Sequence, residues 1–439
     1  MFAVQLDPGS PEFIRDPYPV LAALRSSGPV LWHEPMGTWL ATTHDAVSQV
    51  LRNRAFGRLW TDWEPTSQME PFNALHRHQM MENEPPTHTR LRRLVAAAFG
   101  RGHVERMRPR IESLAADMVD ALGESFDLLR DYAEPMPVFV IADLLGVPRD
   151  DHVKLRAWSQ AIVHMYEPGV GALTKAAAIE ASTAFSDYVR AVVDERRSAP
   201  GDDLISDLIA ARDDGSRLSD DELVASVVLL LNAGHEASVN VFGNGFHALL
   251  EHPDQMARVV SGEVPVEIAL EELIRFDAPL QLFERTATSD VEVSGQLVKA
   301  GQKIACLMGS ANRDAAVFDD ADCFDVGRDP NPHVGFGMGL HFCLGAPLAR
   351  LELQISIRTL LDRFPTLQLV GEAPRRSTWV LRGYQSINVV GAARTSLHGD
   401  SVASGPRPAT VPPPQAGGIP SSARPVVESP TTVEEDDRD

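Results

Sequence analysis

Cysteine is scarce in this chain: Cys306, Cys323 and Cys343 are the only three in 439 residues. An odd, widely spaced set excludes a disulfide framework and fits a reducing compartment. No paired Cys-x-x-Cys offers zinc its usual ligand spacing. Positive charge is outnumbered, with 40 Lys and Arg against 61 Asp and Glu. The resulting net charge of −21 argues against nucleic acid and against an anionic membrane as partner. The first residues, Met1 to Pro8, hold neither a basic n-region nor an apolar h-region, so no signal peptide is read there. Long apolar runs are missing too. The longest candidate, 223–241, is broken by Asn232, Gly234, His235 and Glu236 and falls short of the ~20 residues of a membrane span. There are no internal repeats. With 44% hydrophobic and 23% charged residues, the composition is that of a globular protein, and a cytoplasmic location is expected.

What is present is mostly helical periodicity. Residues 104–122, 173–197 and 202–211 carry apolar positions at helical spacing. Strand-like runs are short: 30–33 with 38–42 as a hairpin, then 291–293, 297–298, 303–307, 367–370 and 386–390. The expected class is mainly α with minor β. From about Arg394 the chain turns rich in Pro, Ser, Gly and Thr and ends on an acidic run, so residues 394–439 read as a disordered tail. Residues 56–84 hold Trp60, Trp63, Phe72 and Met80 among polar and turn residues. This segment reads as a long structureless loop, either a lid or a loop that its aromatics anchor.

Cys343 occupies the most informative stretch: Phe336-Gly337-Met338-Gly339-Leu340-His341-Phe342-Cys343-Leu344-Gly345-Ala346, followed by a helical run from 346 to 361. A lone cysteine is usually a small buried hydrophobe. Here glycines admit a flat cofactor, and a helix N-terminus favours a thiolate, a strongly donating metal ligand. Upstream, Ser219-Asp220-Asp221-Glu222 is a capping box that opens a long apolar helix reaching about Leu250. Its centre reads Ala233-Gly234-His235-Glu236-Ala237-Ser238. Glycine in a helix costs about 1 kcal/mol against alanine, and a buried glutamate costs more unless paired. Two unfavourable choices in a core helix point to function.

Together these stretches resemble the cytochrome P450 family. The Phe-x-x-Gly-x-x-x-Cys-x-Gly pattern is similar to its haem-binding loop, and the helix centre to its oxygen-binding signature. The resemblance covers residues 10–390 and implies a cytochrome P450 fold with a long central helix over a buried haem, in a catalytic domain spanning 1–393. It implies haem b (iron protoporphyrin IX), with Cys343 as the iron ligand and with Phe336, Gly337, Gly345, Ala233 and Gly234 against the cofactor. His88 and Arg92, four apart on one helix face, match a propionate clamp, although alone they read as a basic surface; Arg285 and His341 sit where further propionate partners occur. Glu272-Leu273-Ile274-Arg275 with Arg328 matches the charge network beneath the haem, although Glu-x-x-Arg alone is usually an exposed pair.

The resemblance also gives Glu236 the role of proton-relay acid and expects a helix locally widened beside it. Ala237 departs from the pattern, standing where a threonine is usual, as in a macrolide-precursor hydroxylase. A methyl donates no hydrogen bond, and Ser238 is turned about 100° away. A substrate hydroxyl or ordered water would complete the relay. The implied function is hydroxylation or epoxidation of a lipophilic small molecule with O2, in secondary metabolite biosynthesis, with electrons from a ferredoxin or flavodoxin. Oxidative coupling is an alternative, and a degenerate recruitment module or haem sensor is the non-enzymatic one. A peroxide-driven enzyme would need an arginine in 233–238, and there is none. The resemblance places Trp60, Trp63, 158–165, 280–282 and 381–384 along the substrate pocket.

Overall fold

Ten short strands and a majority of helices make up the chain in a computed structural model, which describes residues 6–99, 101–167 and 169–394. Contacts group Met1–Thr395 as one unit. The expected tail falls outside the described residues apart from Arg394, whose N–H donates to the Arg363 carbonyl at 2.8 Å.

The strands are β1 (Val30–His33), β2 (Thr38–Ala41), β3 (Phe56–Gly57), β4 (Ser125–Asp127), β5 (Leu282–Ala287), β6 (Val291–Val293), β7 (Gln296–Val298), β8 (Lys303–Leu307), β9 (Gln368–Leu369) and β10 (Asn388–Val390). The main sheet has the order β1-β2-β8-β5-β3. β1 and β2 form the expected hairpin, pairing Val30 with Ala41. β5 pairs antiparallel with β8, which sets Arg285 opposite Ile304. Two smaller sheets, β4-β10-β9 and β6-β7, complete the strands.

The helices dominate packing. The central helix runs Asp220–Glu251, with the Ser219 and Glu222 capping box made in both directions. At 32 residues it is about 48 Å long. It is also the one helix among the described residues long and apolar enough to cross a membrane, and 83% of its most apolar window is buried inside the protein. Its α-helical course is unbroken through 233–238, against the expected widening. With Ala and Gly there, the helix can approach a flat partner without opening its hydrogen-bond ladder. A helix Ala346–Arg363 follows the cysteine loop, and Thr87–Ala98 carries His88 and Arg92.

Residues 56–84 are not structureless. They contain β3, a helix Thr66–Arg77 and a single turn Met80–Glu82. Pro71 inside that helix and the turn residues around it hide its period from sequence inspection. Trp60 stacks on His76 at 4.5 Å, and Trp63 meets Phe72 edge-on, so these aromatics fold the segment onto itself.

Candidate haem site and its surroundings

The centre of the long helix carries an unusual break in burial. Leu223 to Asn232 and Ser238 to Gly245 are buried almost without exception, yet Ala233 is exposed and Gly234 and Ala237 are half-exposed. Positions 233, 234 and 237 share one helix face. A stripe of small residues is thus left open in the middle of a core helix.

Cys343 lies half-buried on a loop closed by its own N–H to the Phe336 carbonyl at 2.9 Å. Gly337 and Gly339 both take φ of +68°, and a Cβ on Gly339 would stand 2.4 Å from the Leu51 carbonyl oxygen. Burial pushes the Cys343 thiol up, opposed by the N–H groups of Gly345 and Ala346 and by Arg92. A bound metal reverses that balance, because a coordinating thiol is deprotonated outright. Arg350 lies over the Phe336 ring at 4.4 Å and fixes the start of the loop.

Around this loop the fold gathers the clamp residues. His88 is buried, its ring 4.4 Å from that of His341, and neither of its nitrogens has a hydrogen-bond partner. Burial lowers its pKa to about 4, so it is neutral at pH 7. Arg92 is half-exposed and donates to the Phe342 carbonyl at 2.7 Å. Arg285 is buried, and among the described residues its one hydrogen bond goes to the carbonyl of Glu284, at 2.9 Å. Burial, then Arg58, lowers it to about 10, which leaves it charged at neutral pH. A buried cation and a buried imidazole without acidic partners are costly unless an anion completes them. Two propionates beside a thiolate and a small-residue wall fit that deficit, so these residues suit haem.

Beneath the loop, Glu272 and Arg275 are fully buried and doubly bonded at 2.7 and 2.8 Å. Arg328 pairs with Glu272 at 3.3 Å. Arg275 also donates to the carbonyls of Asn312, Ala321 and Cys323, pinning the chain that leads to Cys343.

The relay residues diverge in space. Glu236 is ion-paired with Arg376 at 3.2 Å, and Arg376 pairs with Glu134, also at 3.2 Å. Arg156 closes on Glu134 at 2.7 Å, so an alternating chain of charges leads from the central helix to a half-exposed arginine. Ala237 is half-exposed on the stripe, whereas Ser238 is buried and lines a small cavity of about 10 Å³. That cavity also receives Glu352, Tyr132, Phe242 and Ser356. Glu352 is buried in it with its pKa pushed up to about 8.

Sequence inspection missed Glu352, Arg376 and Glu84, since their partners and burial are set by contacts between distant segments. Of the residues that the resemblance places along the pocket, Trp158 packs against Phe185 and Tyr188 between two helices, and Tyr384 is buried, stacked on His247 with Arg375 over its ring. Leu282, Phe283 and Leu381 are half-exposed.

Comparison with known proteins agrees with this geometry. The family model described as cytochrome P450 matches residues 26–262 and 266–382. The chain is 37% identical over 392 residues to the cytochrome P450 monooxygenase PikC of Streptomyces venezuelae, covering 86% of this chain and 92% of that protein. It is 40% identical over 374 residues to nocardicin C N-oxygenase of Nocardia uniformis subsp. tsuyamanensis, covering 83% and 92%. Among solved structures, the bacillaene polyketide synthase cytochrome P450 PksS of Bacillus subtilis 168 superposes with a TM-score of 0.81 at 33% identity, covering 88% of this chain and all of that one.

Proposed function

The chain belongs to the cytochrome P450 family and is a haem b monooxygenase, and we propose that it hydroxylates or epoxidises a lipophilic secondary metabolite whose own hydroxyl, or an ordered water, completes the proton path. Bound haem supplies dioxygen activation, and Cys343 donates electron density to the iron. One oxygen atom enters the substrate; the other leaves as water with two protons and two electrons supplied from outside.

The observation that carries the reading is the open stripe itself. Ala233, Gly234 and Ala237 offer the cavity no hydroxyl, Ser238 is turned away, and Glu236 is held by Arg376. Proton delivery at that face therefore needs a donor the protein does not place there. The half-exposed Leu282, Phe283 and Leu381 favour an apolar ligand. Relatives that include an N-oxygenase of nocardicin C and a polyketide-synthase P450 support a secondary metabolite. A ferredoxin or flavodoxin is the proposed electron donor, docking near the Cys343 loop, where Phe342 is exposed. A cytoplasmic location belongs to the same proposal, supported by three free cysteines. The missing alcohol at 237 also favours one second reading, oxidative coupling, in which substrate bonds join and no oxygen is retained.

Polyketides, terpenoids and peptide-derived scaffolds, screened for a spectral shift of the haem and then turned over with a ferredoxin system, test the proposal. The expected product gains one oxygen atom; loss of two hydrogens would establish coupling instead. In the productive substrate, masking the hydroxyl nearest the oxidised carbon should uncouple turnover, and Ala237→Thr should restore it. If Ala237→Thr changes neither coupling nor rate, the alanine has no such role.

A further inference from the structure

The clamp histidine His341 already has a partner from a distant part of the chain. Its Nε2 lies 2.8 Å from Glu84 Oε1, and no other hydrogen bond reaches its ring among the described residues. The same Glu84 oxygen accepts the Arg58 N–H at 2.8 Å. Burial works against the carboxylate, but His341 and that N–H hold it below its usual range. It is therefore an acceptor, and Nε2 is the donor of the pair.

The local backbone is shaped for this carboxylate. A Cβ on Gly57 would stand 2.8 Å from Glu84 Cγ and 3.2 Å from its Cδ, so only glycine leaves room for the side chain to lie across β3. Arg58, next in sequence, binds Glu82 and rests over Phe283 at 4.5 Å, while Arg285 rests over the same ring at 4.8 Å. Glu84 thus stands where four segments meet: β3, the start of the helix bearing His88, β5 with Arg285, and the cysteine loop.

We propose that Glu84 is a positioning residue of the haem cradle: it fixes the His341 ring through Nε2 and ties the cysteine loop to segment 56–84. The proposal rests on haem binding and is independent of the substrate. Partners that orient a cofactor's contacts tune affinity and electronics from behind them. An anion at this site also disfavours the reduced, more negative haem.

Holoenzyme variants test it. Glu84→Gln keeps the shape and an acceptor for Arg58 but removes the charge. It should shift the haem reduction potential positive and speed haem transfer to apomyoglobin about tenfold, the lower end of what losing such an outer partner costs. In a His341→Gln background, Glu84→Gln should add little further loss, because both act through one contact. Gly57→Ala displaces the carboxylate with its charge retained, so it should speed haem transfer with a smaller shift in potential, and it serves if the glutamine variant folds poorly. Wild-type potential and transfer rate in both Glu84→Gln and Gly57→Ala, or fully additive effects with His341→Gln, would overturn the assignment.

Discussion

Replacing Glu352 with glutamine should make this protein more stable, and increasingly so as the pH rises. Glu352 sits on the helix that follows the cysteine loop, 4% exposed, with no hydrogen bond or ion pair to its carboxyl among the described residues. Its cavity has room for about one water. Burial alone moves its pKa from the ordinary 4.5 to about 8. The folded state therefore keeps a proton that the unfolded chain gives up between those values. Stability from this group is undiminished below pH 4.5, is lost as pH rises, and is fully lost above about pH 8. At about 1.4 kcal/mol per pH unit, the loss accumulated between pH 5 and pH 8 is roughly 3 to 4 kcal/mol. Glutamine does not titrate, fills nearly the same volume, and escapes that loss. Urea unfolding of wild type and Glu352→Gln, followed by tryptophan fluorescence at pH 5 and at pH 8, checks the difference. The midpoints should lie close together at pH 5 and separate at pH 8 in favour of the variant. Parallel loss of stability in the two proteins would mean that Glu352 is ionised throughout, and the argument from burial would fail.

The buried charge network and the Glu167 contacts give further tests. Arg275→Ala strips the buried Glu272 carboxyl of its two paired bonds and leaves it Arg328, the Asp325 N–H and Asn331, so unfolding should become easier by about 3–5 kcal/mol, measured by denaturant titration of the holoprotein. Arg275→Lys should recover only part of that loss, since one ammonium cannot reproduce the paired bonds to Glu272 and the three carbonyl contacts. Glu167, in the connection between the helices His152–Val163 and Ala172–Ser198, accepts the N–H groups of Trp379, Val380 and Leu381 at 3.0 to 3.3 Å. Glu167→Ala should accelerate amide exchange at those three residues while leaving the central helix protected; unchanged exchange at 379–381 would show that the contact does not hold that segment.

Much of the site was legible because its residues come in contiguous, fixed spacings. The capping box at Ser219 and Glu222, the 343 loop and the helix after it are local features, set by backbone hydrogen bonds and glycine conformations within a few residues. Strands 303–307 and 291–293 appeared at their true bounds because each is a short, uninterrupted run, apolar and buried in the first and alternating in the second. The helix Thr66–Arg77 did not, because Pro71 breaks its pattern, and tertiary contacts such as the Trp60 and His76 stack supply what local propensity lacks. The ring contacts of Trp158 and Tyr384 with Phe185, Tyr188 and His247 depend on packing between distant elements, which spacing does not encode.

The sequence by itself singled out Cys343 as the proposed ligand, pointed through family resemblance to the class of cofactor, and showed the missing alcohol at position 237, since each is a residue identity within a local frame. Tertiary structure decided the rest. His341 and Glu84 are 257 positions apart, and Arg376 and Glu236 are 140 apart. Glu352 titrates abnormally only because helices distant in the chain close a cavity around it. Hydrogen bonds, ion pairs and desolvation act over a few ångströms of space, whatever the separation along the chain. The partners that tune this site therefore became visible only once the chain was folded.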